Sequence, residues 1–313
     1  MKKHSLILKS IGLALFIGLF LYASPSQVFR ALPTVNLPML GMAAICALTV
    51  VVAKNIRWKY ILALAGGSVS WTDLLPLAFI SAFFGNITPG RFGDLWKISF
   101  AHSETFSRSQ YLISFFYDRL VDACTMAVLA LVCIFTIGDF GDTAFAALLG
   151  LVVMGGFVAV FFRDSLSRIV ERLLGRYDVA TAEFGKSEQP VPFAVVAIVL
   201  SHLAFLLVYF SAYYFVFAAV GILVPFSFLL LSGSVAAMAA ILPITISGLG
   251  TREAVLLYLL KPFYASPSQV ILAGLLWVFV LTYFLCGVVA LPMWLLGLPR
   301  KPQPEESETR VPC

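Results

Sequence analysis

Apolar residues run along this chain in blocks of membrane-spanning length, and polar residues fall between the blocks or at two breaks inside them. The first block follows Lys2 and Lys3, contains Lys9 and runs from Leu6 to Ala23. A basic start, an apolar core and a small residue at the end also fit a signal peptide, but the topology below needs this block retained, so it is read as a first span. Pro25 to Pro38 carries only Arg30 and reads as an external loop. A second span covers Leu37 to Ala53 and ends at Lys54, Arg57, Trp58 and Lys59. Tyr60 to Gly90 is apolar but cut into short limbs by Gly66-Gly67, Asp73, Pro76 and Pro89. A long span follows from Tyr111 to Ile137, with Asp118, Arg119 and Asp122 inside it, and then an uncharged one from Thr143 to Phe162. After the basic loop Arg163–Glu188, no Asp, Glu, Lys or Arg occurs from Gln189 to Thr251. That run supplies a span at Val191–Phe217 and the first limb of a second broken segment, whose second limb ends at Lys261. The last span lies at Val270–Leu296.

The two breaks share a grammar. Asn86-Ile-Thr-Pro89-Gly90-Arg91-Phe-Gly93-Asp94 and Pro243-Ile-Thr-Ile-Ser-Gly248-Leu-Gly250-Thr-Arg252-Glu253 each run through proline and glycine to an arginine and a carboxylate. Inside a bilayer, irregular backbone is tolerated only where protein or trapped water satisfies its polar groups. Paired breaks in the two halves of a chain point to a transport site between them.

Composition fixes the class: with 61% hydrophobic and 12% charged residues, the chain is a polytopic membrane protein. The formal charge of +5 is not a nucleic-acid footprint, because the basic residues sit in short loops between spans. Placing the N-terminus, Lys54–Tyr60, Lys97–Ser109, Arg163–Glu188 and the C-terminal tail in the cytoplasm puts most of the 21 Lys and Arg there. Tyr60–Phe100 must then enter from the cytoplasm and return, and Val224–Lys261 must do the same from outside. The expected fold is all-α, with about six full transmembrane helices plus two re-entrant hairpins in an inverted-topology repeat. The first repeat is residues 1–142 and the second residues 143–299, one integral membrane domain followed by a polar cytoplasmic tail, 300–313. The echo Ala23-Ser-Pro-Ser-Gln-Val28 and Ala265-Ser-Pro-Ser-Gln-Val270 does not fit that symmetry and reads as shared external-turn chemistry or chance.

The chemistry concentrates at the breaks and on the long span. Arginine at a break can hold a phosphate in a two-pronged contact, and helix ends there offer free N–H groups to an anion. The alternative is a pair of internal salt bridges, Arg91–Asp94 and Arg252–Glu253, pinning each hairpin. On the long span, Arg119 and Asp122 are three apart and are expected to pair. Asp118 is then the carboxylate left over, available to another arginine or to a proton, unless it lies in water at the cytoplasmic edge. His202, early in its span, is a packing histidine or a proton relay. Ser165–Tyr177 sets Leu166, Ile169, Val170, Leu173 and Leu174 at helical spacing against Arg168, Arg172 and Arg176, an amphipathic helix for the membrane surface. Cys46, Cys124, Cys133 and Cys286 sit in apolar runs and Cys313 ends the chain, with no metal or disulfide spacing. No phosphate-cradling Gly-rich motif appears, and no cofactor or metal is expected.

Asn86-x-x-Pro89-Gly90-Arg91-x-Gly93-Asp94, then Asp118-Arg119-x-x-Asp122, then Pro243 with Gly248-x-Gly250-x-Arg252-Glu253, resemble the membrane domain of lysylphosphatidylglycerol synthases, a family with many stand-alone flippase-like proteins. The resemblance spans nearly the whole chain. It implies that a polar-headed lipid (a phospholipid, modified phospholipid or lipid-linked sugar) is moved across a bacterial or archaeal cytoplasmic membrane, and it marks these residues as substrate-binding. Ser247 stands where the family often has glycine. No soluble aminoacylating domain is expected, so the chain is read as a non-enzyme. Two other classes stay open: a membrane-embedded transferase using a lipid-linked donor, with Asp94 or Asp118 as base, and a non-catalytic partner of a glycosyltransferase or lipid synthase.

Overall fold

The computed structural model describes residues 14–64, 69–88, 92–100, 108–137, 190–241, 245, 247–264 and 266–298. The expected span Thr143–Phe162, the amphipathic segment Ser165–Tyr177, the polar tail and Pro89, Gly90, Arg91 and Pro243 lie outside them. Helices account for the regular structure, with no strand among the described residues. In chain order they are α1 (Ala14–Tyr22), α2 (Pro25–Ala31), α3 (Leu37–Leu64), α4 (Trp71–Ile87), α5 (Arg108–Ile137), α6 (Val191–Ala219), α7 (Phe226–Ile241), α8 (Thr251–Leu259) and α9 (Pro267–Leu295). A 3₁₀ segment, Phe92–Phe100, follows the first break, and the middle of α9, Leu276–Phe284, is π-helical.

Among the described residues four helices are long and apolar enough to cross a bilayer: α3, α5 from Ser114, α6 and α9. α1 and the Pro25–Thr34 segment make a fifth candidate, bent by 74°. α6 and α7 are apolar on every side, as expected where lipid or other helices face the whole circumference. Leu203, Leu207, Leu223 and Phe226 stay exposed on the outer surface. α6 lies along α3, and the backbone N–H of Asn36, just ahead of α3, donates to Ala219 O at 2.9 Å. The core between α6, α8 and α9 is closed by Phe217, Leu256, Leu260, Val270 and Ile271.

Three expectations change. Pro25–Pro38 is helix rather than loop: Pro25 takes a first helical position, where its missing N–H is no loss. The second span does not stop at Ala53, because α3 continues to Leu64. At 28 residues it is about 42 Å long, beyond the ~30 Å hydrocarbon core. Lys54–Tyr60 is thus helix packed against its neighbours, with Arg57 and Trp58 buried, and not a solvated loop. Finally, the two copies of the Ser-Pro-Ser-Gln-Val echo lie against each other. Ser266 Oγ donates to Gln27 Oε1 at 3.2 Å, and Val28 and Val270 share one apolar cluster. Each copy starts a helix, and Ser266 with Gln269 forms the capping box of α9.

Both broken segments are hairpins of two limbs in contact, α4 with the 3₁₀ segment and α7 with α8. A threonine fastens each. Thr88 Oγ1 accepts from Gly93 N at 2.5 Å and lies 3.1 Å from both Phe84 O and Gly85 O. Thr251 Oγ1 donates across its hairpin toward Ala239 O at 3.3 Å and Gly248 O at 3.2 Å. The first hairpin closes only because its limbs lack side chains where they touch. A Cβ on Gly93 would stand 2.1 Å from Phe84 O, and one on Gly85 would stand 2.0 Å from Asp94 Oδ1. The second hairpin turns through left-handed backbone at Ser247 (φ 55°), Gly248 (φ 79°) and Gly250 (φ 91°), which explains why glycine suits position 247.

Gly93→Ala is expected to destabilise the protein by about 1–3 kcal/mol, since backbone cannot yield to the new methyl. Gly41→Ala, in α3 with nothing within 4 Å of the added carbon, is expected to stabilise by about 0.5–1 kcal/mol. Thermal unfolding of the two purified variants in detergent checks both signs.

Candidate functional site

The second half of α3 carries Lys54, Asn55, Arg57 and Trp58, and the first half of α5 carries Asp118, Arg119 and Asp122. Helical spacing sets Lys54 and Arg57 on one side of α3, and Asp118 and Asp122 on one side of α5. The two sides face each other. Arg57, with none of its surface exposed, donates from Nε and Nη2 to Asp118 Oδ1 at 2.9 and 2.6 Å. Its Nη2 also lies 2.7 Å from Asp122 Oδ1, and Lys54 Nζ is 2.5 Å from Asp122 Oδ2. His202 of α6 closes the third side: Arg57 Nη1 reaches His202 Nδ1 at 2.5 Å, and His202 Nε2 lies 2.9 Å from Thr125 Oγ1. A guanidinium only donates, so Nδ1 must accept and the imidazole proton sits on Nε2, directed to Thr125. In this arrangement His202 is bonded through both ring nitrogens and ties α6 to α3 and α5.

This geometry corrects the expected pairing on α5. Arg119 does not pair with Asp122, and of the alternatives open for Asp118 the structure has the pairing with another arginine: Asp118 is 3% exposed and held by Arg57. The side chains of an i, i+3 pair can meet, but a partner on a facing helix wins when it offers a two-pronged contact. Arg119 instead reaches Asp94 Oδ2 at 2.8 Å, with Asp118 Oδ2 at 3.5 Å. The first break is thus tied to α5. Lys97, one turn beyond Asp94, donates to Asn55 Oδ1 at 2.5 Å and sits 4.4 Å from the centre of the Trp58 ring.

At the second break, Arg252 and Glu253 pair with each other, as the salt-bridge alternative anticipated. Arg252 Nε donates to Glu253 Oε1 at 3.1 Å, and its Nη2 donates both to Oε1 and, at 2.9 Å, to Gly274 O. Glu253 Oε2 accepts from Gly250 N at 2.6 Å, and Glu253 is fully buried. Gly274 allows the approach, since a Cβ there would meet Glu253 Oε1 at 2.5 Å.

Between these groups lies a cavity of about 170 Å³. Asn86 and Asp94 of the first break line it, as do Ser247 and Arg252 of the second. Lys54, Asp118, Arg119 and Asp122 form a charged wall; Phe205, Tyr209, Tyr213 and Trp277 form an aromatic one. Tyr213 and Trp277 are 4.3 Å apart between ring centres. The π-helical stretch of α9 turns Trp277, Leu281 and Thr282 toward the cavity, and Tyr283 Oη donates to Asn86 O at 3.1 Å. π-Helical geometry is often found at functional sites. Of the expected site residues, Asn86, Asp94, Asp118, Arg119, Asp122 and Arg252 line this one cavity. Gly93, Gly248, Gly250 and Glu253 shape the backbone around it, and Pro89, Gly90, Arg91 and Pro243 lie outside the described residues. Lys54, Asn55, Arg57, Trp58 and Lys97 were missed. Their signal was present in Lys54 and Arg57, three apart on one face of α3, as Asp118 and Asp122, four apart, share one face of α5.

Arg57→Ala leaves two buried carboxylates with Lys54 at Asp122 and, at Asp118, Arg119 3.5 Å away, and a loss of about 3–5 kcal/mol is expected. Arg57→Lys is expected to recover little, because an ammonium cannot serve two carboxylates and His202 in one plane. Adding Asp118→Asn and Asp122→Asn to Arg57→Ala should restore part of the loss. Unfolding temperatures of the series in detergent check the order. Arg252→Ala is expected to fall in the same range by uncovering Glu253.

No curated protein and no solved structure matches the chain. The family model does: residues 9–290, a stretch that contains both breaks and every charge of the cluster, match the lysylphosphatidylglycerol synthase TM region, and the chain belongs to that family of integral membrane proteins.

Proposed function

We propose that the protein is a lipid translocase that passes a polar-headed lipid across the membrane through the cavity between the two breaks. The observation that carries this reading is that both breaks, from distant parts of the chain, line one polar cavity among helices that are otherwise apolar. A packed membrane bundle has no need of such a space, and ionisable groups inside one default to function. Family membership supports a lipid-related role. The hairpins act as two halves of an inverted repeat, the N- and C-termini are cytoplasmic, and the charged wall lies toward the cytoplasmic leaflet, where the basic segments concentrate. Movement runs down a lipid gradient or draws on an ion gradient.

Liposomes holding the purified protein and a fluorescent phospholipid, quenched from outside by dithionite, test the reading. Wild type is expected to expose the inner-leaflet lipid. Ala237→Leu, which fills the cavity from α7, is expected to slow exposure at least about tenfold, if the path runs through the cavity, while leaving a folded protein. A wild-type rate equal to that of protein-free liposomes would remove translocation as the function.

Orientation has its own check. In a cysteine-free background, a cysteine at Ser266 is expected to react with an impermeant maleimide from outside, and cysteines at Ser103 or Ser187 are expected to react only from the cytoplasm. The reverse pattern would overturn the assigned orientation, and labelling of all three from one side would overturn the inverted repeat.

A further inference from the structure

The three arginines described at this site are not equivalent. Arg57 is fully buried and committed to two carboxylates and a histidine. Arg252 is 3% exposed and committed to Glu253 and to Gly274 O. Arg119 differs from both. Its side chain keeps 18% of its surface and lines the cavity, and its Nε–H is buried with no acceptor among the described residues. A buried donor without an acceptor is costly unless something else supplies one. Among the described residues the shortest ion pair of Arg119 is with Asp94 at 2.8 Å; Asp118 lies farther off at 3.5 Å and is already held by Arg57.

Charge adds a second constraint. Lys54, Lys97, Arg119 and Arg252 face Asp94, Asp118 and Asp122 across the cavity, while Arg57 and Glu253 lie behind its lining. Among the described residues the cations therefore exceed the anions by one. The motif residues read from sequence held more carboxylates than arginines; the cations added by α3 and the 3₁₀ segment reverse the sign. In a low-dielectric cavity, one net positive charge favours a singly charged anion.

We propose that Arg119 is the residue that recognises the anionic part of the lipid, and that this part is a phosphodiester. Its oxygen competes with Asp94 for the guanidinium and, as the side chain turns from Asp94, accepts from the Nε–H that is otherwise buried without an acceptor. Asp94 then holds the position at the guanidinium that the ligand's oxygen takes. The inference deepens the translocation reading and rests on it for the lipid, but binding is measurable without transport.

The two partners should respond with opposite signs. Full-length protein in nanodiscs of neutral phosphatidylcholine is titrated with short-chain phosphatidylglycerol, with an uncharged diglucosyl diacylglycerol and with inorganic phosphate, and bound ligand is counted by native mass spectrometry. Wild type is expected to retain phosphatidylglycerol over the uncharged lipid. Arg119→Ala should weaken retention roughly tenfold or more, the scale of one charge-assisted hydrogen bond. Asp94→Asn should strengthen it, because the competitor has lost its charge. A purely structural bridge predicts that both substitutions weaken retention alike, and that result overturns the proposal. If Asp94→Asn does not fold, Arg119→Lys decides: reduced selectivity with an intact thermal transition supports the assignment, and unchanged selectivity refutes it. Equal retention of the uncharged lipid refutes it as well. Inorganic phosphate bound in preference to lipid would assign the cavity to a free anion and overturn the lipid assignment. Should phosphatidylglycerol bind as expected and yet not cross in liposomes, translocation fails and the role of Arg119 stands.

Discussion

The contact on which the rest of the structure depends is the guanidinium of Arg57 between Asp118 and Asp122. A cation with no exposed surface would by itself cost several kcal/mol to bury. It is held because two carboxylates, a histidine nitrogen and an aromatic ring, with Phe205 at 5.4 Å from its guanidinium carbon, surround it. Those groups come from α5 and α6, so one side chain sets the rotation of α3 against both. Apolar packing between helices that are hydrophobic on every side carries little register information, because sliding one past another exchanges one methyl contact for another. The polar cluster supplies that register.

The same dependence explains what was legible in the sequence. Block lengths give an all-helical membrane protein and the place of the spans that are described, and the prolines and glycines of the two breaks mark where the chain turns, because both follow from local backbone chemistry. Gly85 and Gly93 are needed where limb meets limb, and Ser247 and Gly248 mark a left-handed turn. Partner choice was not legible. Arg119 and Asp122 satisfy the i, i+3 rule, yet the rule compares them only with each other, whereas a facing helix offered Arg57 and Lys54. The basic run Lys54–Lys59 was misread for a related reason. A charge census assigns basic residues to water, and it cannot see that carboxylates inside a later span neutralise two of them. The echo of Ser-Pro-Ser-Gln-Val was set aside because it broke the expected symmetry. Its two copies meet because each begins a helix at the same corner of the bundle.

The two hairpins are anchored by unlike interactions. Arg252 and Glu253 are neighbours in sequence, close their pair inside one helix turn and bond to Gly250 and Gly274. Opening that pair leaves Glu253 with no exposure and, among the described residues, no second cation, so the energy of opening is close to that of stranding a buried charge. Asp94 and Arg119 belong to different elements, and Arg119 retains surface at the cavity. If the pair separates, each partner turns toward a polar space lined by Lys54, Asn86 and other hydrogen-bonding groups, where water or a ligand can solvate it. The dielectric around a bridge, more than its length, decides what breaking it costs. On that ground the first hairpin is the one whose attachment a ligand can exchange, and the second serves as the fixed wall against which it does so.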